Sequence, residues 1–194
     1  ILTFLQIWYI YRMKSEMYSK IELSTCHVKS RKTVSNYAMK TENNLKEIIQ
    51  IAFDVHHELH TKAFWSLDLV CEKKLKQFVP YIEAFCEVLP KIKNDSAVRP
   101  ATRICFLLAK SNHRKNGIDL SQEQEHNIIE NLIDRLIQDE KVASKVYAMK
   151  ALFVFGKKYD WIYEELKPII SQDAYNHSAA YQTCARNILK KLNK

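Results

Sequence analysis

One pattern of apolar and polar positions occurs four times along the chain. Each copy starts with apolar residues at helical spacing, continues through a short polar turn that contains an aspartate, and ends in a second apolar helix. The turn aspartates are Asp54, Asp95, Asp139 and Asp173. The second helices of the first three copies open on the basic residues Lys62, Arg99 and Lys145. The pattern predicts an all-α protein of about four helix pairs.

The third copy contains the strongest helix signals. Ser121 and Gln124 have the spacing of a capping box, which marks the start of a helix. Residues 146–155 of the second helix are apolar on nearly every side, so we expect this helix to be the most buried. Gly156 follows directly, and glycine is typical of a helix C-terminus.

A helix pair that returns at intervals of roughly 35–45 residues is typical of an α-solenoid. In such folds the inner helices line an extended concave surface. We therefore predict a right-handed α–α superhelix of about four helix pairs over residues 44–194. Residues 1–43 are predicted to be a poorly defined lead, with a short helix near residues 30–40.

The first eleven residues, ILTFLQIWYIY, differ from the rest of the chain. They are apolar but shorter than the roughly 20 residues that cross a bilayer, and they lack the basic leader of a signal peptide. The chain also does not begin with methionine. Our hypothesis is that Met13 or Met17 is the natural start and that residues 1–12 are not native; the intact mass of the natively expressed protein tests it.

Composition supports helices and restricts the choice of partner. The chain has only 2 glycines and 4 prolines, fewer than a protein built from strands and tight turns normally needs. Half of the formal net charge of +8 lies in residues 1–44, so the repeated part is close to balanced. This charge distribution does not establish a nucleic-acid-binding surface. The 5 cysteines show no pairing pattern, which favours a reducing, cytoplasmic location.

A turn aspartate followed by a basic residue in the second helix, with a proline in the first helix (Pro90, Pro168), resembles the HEAT-repeat family over about residues 45–192. The stretch from Lys145 to Leu192 is similar to small bacterial HEAT-like proteins. Some of those proteins carry the label adenylosuccinate lyase, but this chain lacks the glycine- and serine-rich loop of that superfamily. The resemblance implies an ARM-type superhelix that binds along its concave face.

The basic residues of the second helices allow two interpretations. In the first, they pair with the turn carboxylates (Asp54 with Lys62, Asp95 with Arg99, Asp139 with Lys145) and keep the helix pairs in register. In the second, the basic residues form a stripe along the concave face that meets phosphates or an acidic peptide. The members of this stripe are Lys62, Arg99, Arg103, Lys145 and Lys150.

Trp65 and Asp68 stand one helical turn apart on an otherwise apolar helix. An aromatic ring, a carboxylate and an arginine such as Arg103 resemble the arrangement in HEAT-like alkylpurine DNA glycosylases. That resemblance implies a ring packed against a modified nucleotide and an acid that stabilises a developing sugar cation. The structural alternative is a core tryptophan beside an aspartate that pairs with an arginine.

His56 and His60 have the i, i+4 spacing of metal ligands on a helix. They fall in a predicted turn with no second ligand cluster, so we predict no metal or other cofactor. No glycine-rich phosphate loop or serine nucleophile motif occurs, and no catalytic residue is predicted.

We expect a non-enzymatic scaffold whose concave face holds a protein or an acidic peptide, with no membrane partner. The predicted contact residues are Trp65, Asp68, Arg99, Arg103, Lys145 and Lys150. The alternative is a nucleic-acid-binding solenoid related to the glycosylases. Salt-dependent retention of DNA distinguishes the two hypotheses.

Overall fold

A computed structural model describes residues 14–173 and 178–193 of the chain. Within these residues the protein is all-α and contains no strand. The predicted non-native extension, residues 1–12, lies outside them. The α-helices are α1 (Glu16–Glu22), α2 (Val28–Ala38), α3 (Glu42–Phe53), α4 (His60–Phe78), α5 (Ile82–Val88), α6 (Asp95–Asn112), α7 (Gln122–Ile137), α8 (Val142–Phe155), α9 (Trp161–Asp173) and α10 (Ala179–Leu192).

The described chain divides into two compact units. The first unit ends at Val70 and the second begins at Cys71, so the division falls within α4. A few residues later, Lys74 leaves helical geometry (φ −137°, ψ 47°) and interrupts the same helix. The sequence predicts a lead over residues 1–43 and a solenoid domain over residues 44–194. Residues 14–43 contain helices that pack on α3, which is why the contacts join them to the first helix pair.

The first unit is built from α1, α2, α3 and the first part of α4. The helices α1, α2 and α3 each contact the other two, and their apolar faces bury Met17, Ile21, Val34 and Ile48. Lys62 on α4 donates a hydrogen bond to the carbonyl oxygen of Glu22 at the end of α1. The seven-residue α1 was missed because so short a helix shows little periodicity.

Helices α5 to α10 of the second unit follow the order of the three predicted helix pairs, and α7 packs on α8 and α9 on α10. The second helices of successive pairs pack together, since α8 contacts both α6 and α10. The first helices do the same, with α7 in contact with α5 and α9. Helix α8 also packs on α7 and α9, which fits its apolar sequence. This packing is compatible with a helical repeat.

The helix ends confirm some local predictions and correct others. Ser121 and Gln124 form the expected capping box. Asn94, not Asp95, caps α6 by accepting a hydrogen bond from the Ser96 amide at 2.9 Å. Asp95 instead forms an exposed ion pair of 3.6 Å with Lys141, in the turn of the next helix pair. The register pairs predicted for Lys62 and Asp95 were therefore assigned to the wrong partners.

Both glycines of the chain lie where the backbone comes very close to another group. A Cβ atom on Gly156 would lie 2.1 Å from the Tyr163 ring, and one on Gly117 would lie 1.6 Å from the Ser111 carbonyl oxygen. Gly156 ends α8 in right-handed geometry (φ −58°), so its role is this ring contact rather than the left-handed cap typical of glycine.

A buried arginine fixes the end of α5. Arg135 is 4% exposed, and its guanidinium donates hydrogen bonds of 2.8 Å to the carbonyl oxygens of Leu89 and Ile92. It also contacts Asn131 at 3.0 Å and Glu140 at 2.7 Å. The two carbonyls belong to the turn that contains Pro90, where α5 stops. Arg135 therefore satisfies backbone acceptors that the end of the helix leaves unpaired.

No helix in the described part of the chain combines the length and the apolar character that a membrane span requires.

Candidate functional site

Three helices of the second unit, α6, α8 and α10, line a groove of about 680 Å³. Its floor is apolar and combines side chains from all three helices. The floor residues are Phe106, Val146, Phe153, Val154, Cys184 and Ile188. Along α8 they follow the helical spacing of one face, so the same periodicity that builds the helix also builds the groove.

Five exposed basic side chains surround this floor. They are Lys110, Arg114, Lys150, Lys157 and Lys191, with His113 beside them. No aspartate or glutamate is present among the described residues that line this groove. We call the floor and these basic residues together the cationic groove. Like charges that share one cavity repel each other, so the groove has an excess of positive potential that an anionic ligand would neutralise.

Three lysine ammonium groups of the groove lie over aromatic rings or beside a histidine. Lys150 Nζ lies 5.7 Å from the centre of the Tyr147 ring, and Lys191 Nζ lies 5.4 Å from that of Phe153. Lys157 Nζ lies 3.4 Å from His113 Nε2. Aromatic rings attract a cation but leave its full charge in place. These contacts therefore hold the ammonium groups at the groove without cancelling their charge.

A second cavity of about 510 Å³ adjoins the groove at the interrupted end of α4. It shares Lys110 and Arg114 with the groove and adds further basic residues, namely Lys73, Lys74 and Lys76. Its one lining carboxylate in the described chain, Glu72, forms an ion pair with Arg103. We call this cavity the α4 pocket.

A buried carboxylate supports the far end of the groove. Glu125 is 0% exposed and accepts hydrogen bonds from the Asn112 amide, the Tyr159 hydroxyl and the Lys158 ammonium group, the last at 2.6 Å. Asn112 in turn accepts a hydrogen bond of 2.9 Å from the Leu120 amide. The cluster thus ties the loop after α6, which carries Arg114, to the turn after α8, which carries Lys157.

Two opposing effects determine the pKa of Glu125. Burial raises the pKa of the carboxyl, whereas hydrogen bonds from Lys158, Tyr159 and Asn112 lower it, and the net result is a pKa below the usual value. The hydrogen bond to Glu125 likewise raises the pKa of Lys158. The carboxylate and the ammonium group are both ionised at neutral pH. Glu125 is therefore one member of an ion pair and not a proton donor.

The structure places the predicted contact residues in different surroundings. Lys150 lines the cationic groove, while Arg103, which is partly buried, pairs with Glu72 beside the α4 pocket. Lys145 is only 4% exposed, so a ligand in solvent cannot reach its side chain. Arg99 is half-buried on α6 and does not line the groove.

Trp65 and Asp68 belong to the first unit. Trp65 is half-buried, and Asp68 is 2% exposed. The Asp68 carboxylate therefore offers little surface to a nucleotide approaching from solvent.

Most residues of the groove were not among the predicted ones. Lys110, Arg114, Lys157 and Lys191 come from three separate segments, and only the packing of α6, α8 and α10 brings them together. One signal was available in the sequence, where Arg103, Lys110 and Arg114 follow each other at intervals of seven and four residues, although α6 ends before Arg114. Such spacing puts basic residues on one helical face.

His56 and His60 lie in different surroundings. His60 is buried, and its Nδ1 lies 2.6 Å from the Ala52 carbonyl oxygen, whereas His56 is exposed. Burial lowers the pKa of His60 and keeps its ring neutral. Across the described residues, no three His, Cys, Asp or Glu side chains are placed to hold a metal ion together.

The buried cysteines have the surroundings of structural thiols. Burial raises the pKa of Cys86 to about 12, and burial also raises the pKa of Cys184 in the groove floor. The reactive form of cysteine is the thiolate, which both sites disfavour at neutral pH.

No protein-family model, curated protein or solved structure matches this chain. The described fold and site define an all-α protein whose second unit carries a cationic groove lined by α6, α8 and α10.

Proposed function

We propose that this protein is a non-enzymatic binding module that holds an acidic, amphipathic segment of a partner protein in the cationic groove. The observation that carries the proposal is the combination of five exposed basic residues with an apolar floor and no lining carboxylate in the described chain. Each half of this combination selects one property of the ligand.

The basic residues select negative charge. Carboxylates near Lys110, Lys150 and Lys157 would relieve the repulsion among these cations and attract the ligand from a distance. Because the side chains are exposed, salt screens the attraction, and binding weakens as the ionic strength rises.

The floor selects apolar side chains. Phe106, Phe153 and Ile188 would remain in contact with water beneath a ligand that carried only charges. An amphipathic helix has apolar residues at intervals of three and four, which fit a groove between helices, and acidic residues on its flanks. This match favours a peptide over a nucleic acid, whose backbone would leave the floor uncovered.

The position of the groove agrees with a HEAT-like solenoid. It lies on α6, α8 and α10, the second helices of successive pairs, and these are the helices expected to line the concave face. We include the right-handed superhelix and its concave binding face in the proposal. The packing of α8 between α6 and α10 supports it.

The test uses a synthetic helical peptide of about 18 residues, or five turns, with leucine at every third or fourth position and glutamate elsewhere. We call it the Leu/Glu peptide. We expect it to bind by calorimetry and to weaken with added salt. A peptide of the same composition without the apolar face should bind at least about tenfold more weakly, because it cannot cover the floor.

Charge reversal locates the binding surface. Lys150→Glu should weaken binding of the Leu/Glu peptide, while Lys167→Glu, an exposed lysine on α9 outside the groove, should leave it unchanged. Equal binding of the two peptides, or stronger binding of a duplex or single-stranded DNA than of the Leu/Glu peptide, would refute the proposal in favour of a nucleic-acid function.

A further inference from the structure

The α4 pocket has a composition different from that of the groove it adjoins. Five basic residues line it: Lys73, Lys74, Lys76, Lys110 and Arg114. Among the described residues, its apolar lining consists of Cys71, Leu75 and Leu107, so it lacks the broad apolar floor of the groove. This pocket suits a small, strongly charged group rather than an apolar side chain.

The one carboxylate that lines this pocket in the described chain is engaged by a cation outside it. Glu72 pairs with Arg103, an additional cation that does not line the pocket. The remaining basic side chains are exposed, and they surround a cavity of about 510 Å³. An anion with two negative charges would gain more here than a single carboxylate, because each nearby cation interacts with the whole charge.

The donor groups of the pocket match a phosphate monoester. The guanidinium of Arg114 can donate two parallel hydrogen bonds to phosphate oxygens, and the lysines supply point charges. Ser111, which also lines the pocket, accepts a 3.1 Å hydrogen bond from the Ile118 amide through its Oγ. That hydroxyl can direct its own hydrogen towards an anion.

Shared residues connect this pocket with the groove. Lys110 and Arg114 line both cavities, so a ligand that follows the groove past them enters the α4 pocket. We infer that the α4 pocket binds a phosphorylated side chain at one end of the acidic segment that the cationic groove holds. The inference rests on the proposed function for its peptide ligand, and it adds phosphorylation as a signal that strengthens binding.

The experiment compares the Leu/Glu peptide carrying a terminal serine with the same peptide carrying phosphoserine. Both ends are tested, since either could lie in the pocket. We expect phosphorylation at one end to tighten binding about tenfold, because two new charges meet several cations. Lys74→Gln with Lys76→Gln should remove this gain and leave the affinity for the serine peptide unchanged, since neither residue lines the groove.

A matched control removes two exposed lysines elsewhere in the second unit. Lys167→Gln with Lys190→Gln lowers the net charge equally, and neither side chain lines either cavity. This variant should keep the tenfold gain. Equal affinity for serine and phosphoserine peptides at both ends, or a gain that survives in the Lys74/Lys76 variant, would overturn the inference.

The results distinguish a failure of this inference from a failure of the proposed function. If the serine peptide does not bind, the proposed function fails. Binding of inorganic phosphate alone then tests whether the pocket holds a phosphate group. Phosphate should shift the amide NMR signals of residues 72–76 in the wild-type protein and not in the Lys74/Lys76 variant; unchanged signals in the wild type would refute the pocket. Displacement of the phosphoserine peptide by an oligonucleotide or a phosphoinositide vesicle would assign the pocket to a different ligand and overturn the inference.

Discussion

The charged residues of the second unit fall into two groups with opposite surroundings. Arg135 and Glu125 are buried, and each makes at least three hydrogen bonds to defined partners. The basic residues of the cationic groove are exposed and have no lining carboxylate among the described residues. A buried charge is tolerated only when its partners replace water, so the first group maintains the fold. We propose that the second group serves a ligand outside the chain.

This difference gives a rule for finding function in a charged helical protein. Number and type of charges do not separate the groups, since both contain basic residues on regular helices. The separating properties are burial and the presence of a local counter-charge. Removing a charge from the first group should therefore lower stability, and removing one from the second should change only binding.

The largest effect is expected from Arg135→Met. Methionine fills a similar volume but leaves Glu140 and the carbonyl oxygens of Leu89 and Ile92 without their donor. Removing one member of a buried charge network costs about 3–5 kcal/mol of the free energy of unfolding. Urea denaturation followed by circular dichroism measures the loss.

The control for this variant is the same substitution at an exposed position. Arg186→Met on α10 should change the free energy of unfolding by less than about 0.5 kcal/mol. A similar loss of unfolding free energy in the two variants would show that burial does not distinguish the structural charges from the exposed ones.

Glu125→Gln should have the next largest effect. The amide keeps the shape of the side chain but loses the charge that Lys158, Tyr159 and Asn112 contact. Hydrogen bonds to a charged group are worth about 1.5–3 kcal/mol each, and the amide retains part of them, so we expect a loss of about 2–3 kcal/mol at neutral pH.

The difference between wild type and Glu125→Gln should depend on pH. Because the pKa of Glu125 is lower in the folded protein, its ionised carboxylate stabilises the fold above the usual carboxyl pKa of 4.5. This contribution declines as the pH falls below that value and through the lowered pKa. Thermal unfolding at several pH values should show the two proteins converging in acid; a constant gap would contradict the ionic role of Glu125.

The sequence predicted the helices of the second unit better than it predicted the roles of their charged residues. Helix periodicity is local, so the pairs α5/α6, α7/α8 and α9/α10 could be located, and the capping box at Ser121 needs only the next three residues. Burial of a charged side chain depends on distant partners. Arg135 meets carbonyl oxygens 43 and 46 residues away, and no short pattern encodes that contact.

The groove could be predicted only in part for the same reason. Lys150 was among the predicted contact residues, because it lies on a second helix away from the turn. Lys157 and Lys191 lie just beyond α8 and near the end of α10, where basic residues are common for electrostatic reasons at helix ends. Their joint position around one apolar floor follows from tertiary packing, which the periodicity does not specify.

A smaller effect is expected from Lys141→Gln. The ion pair of 3.6 Å with Asp95 joins the turns of two successive helix pairs, but both side chains are exposed. Exposed pairs contribute about 0–1 kcal/mol, so the loss should be within this range and should disappear in high salt. A loss above about 2 kcal/mol would place this pair with the buried group and show that exposure alone is a poor criterion.

The smallest effect on stability is expected from Lys110→Gln combined with Lys150→Gln. Both side chains belong to a cluster of like charges, so their removal relieves repulsion, and the free energy of unfolding should stay constant or rise by up to about 0.5 kcal/mol. Affinity for the Leu/Glu peptide should fall about tenfold or more, because two of the five groove cations are lost.

The same two substitutions at Lys167 and Lys190 provide the control for net charge. A double groove variant that loses more than about 1 kcal/mol of stability would mean that these lysines have partners within the fold, and the groove would then belong with Arg135 and Glu125 as part of the scaffold.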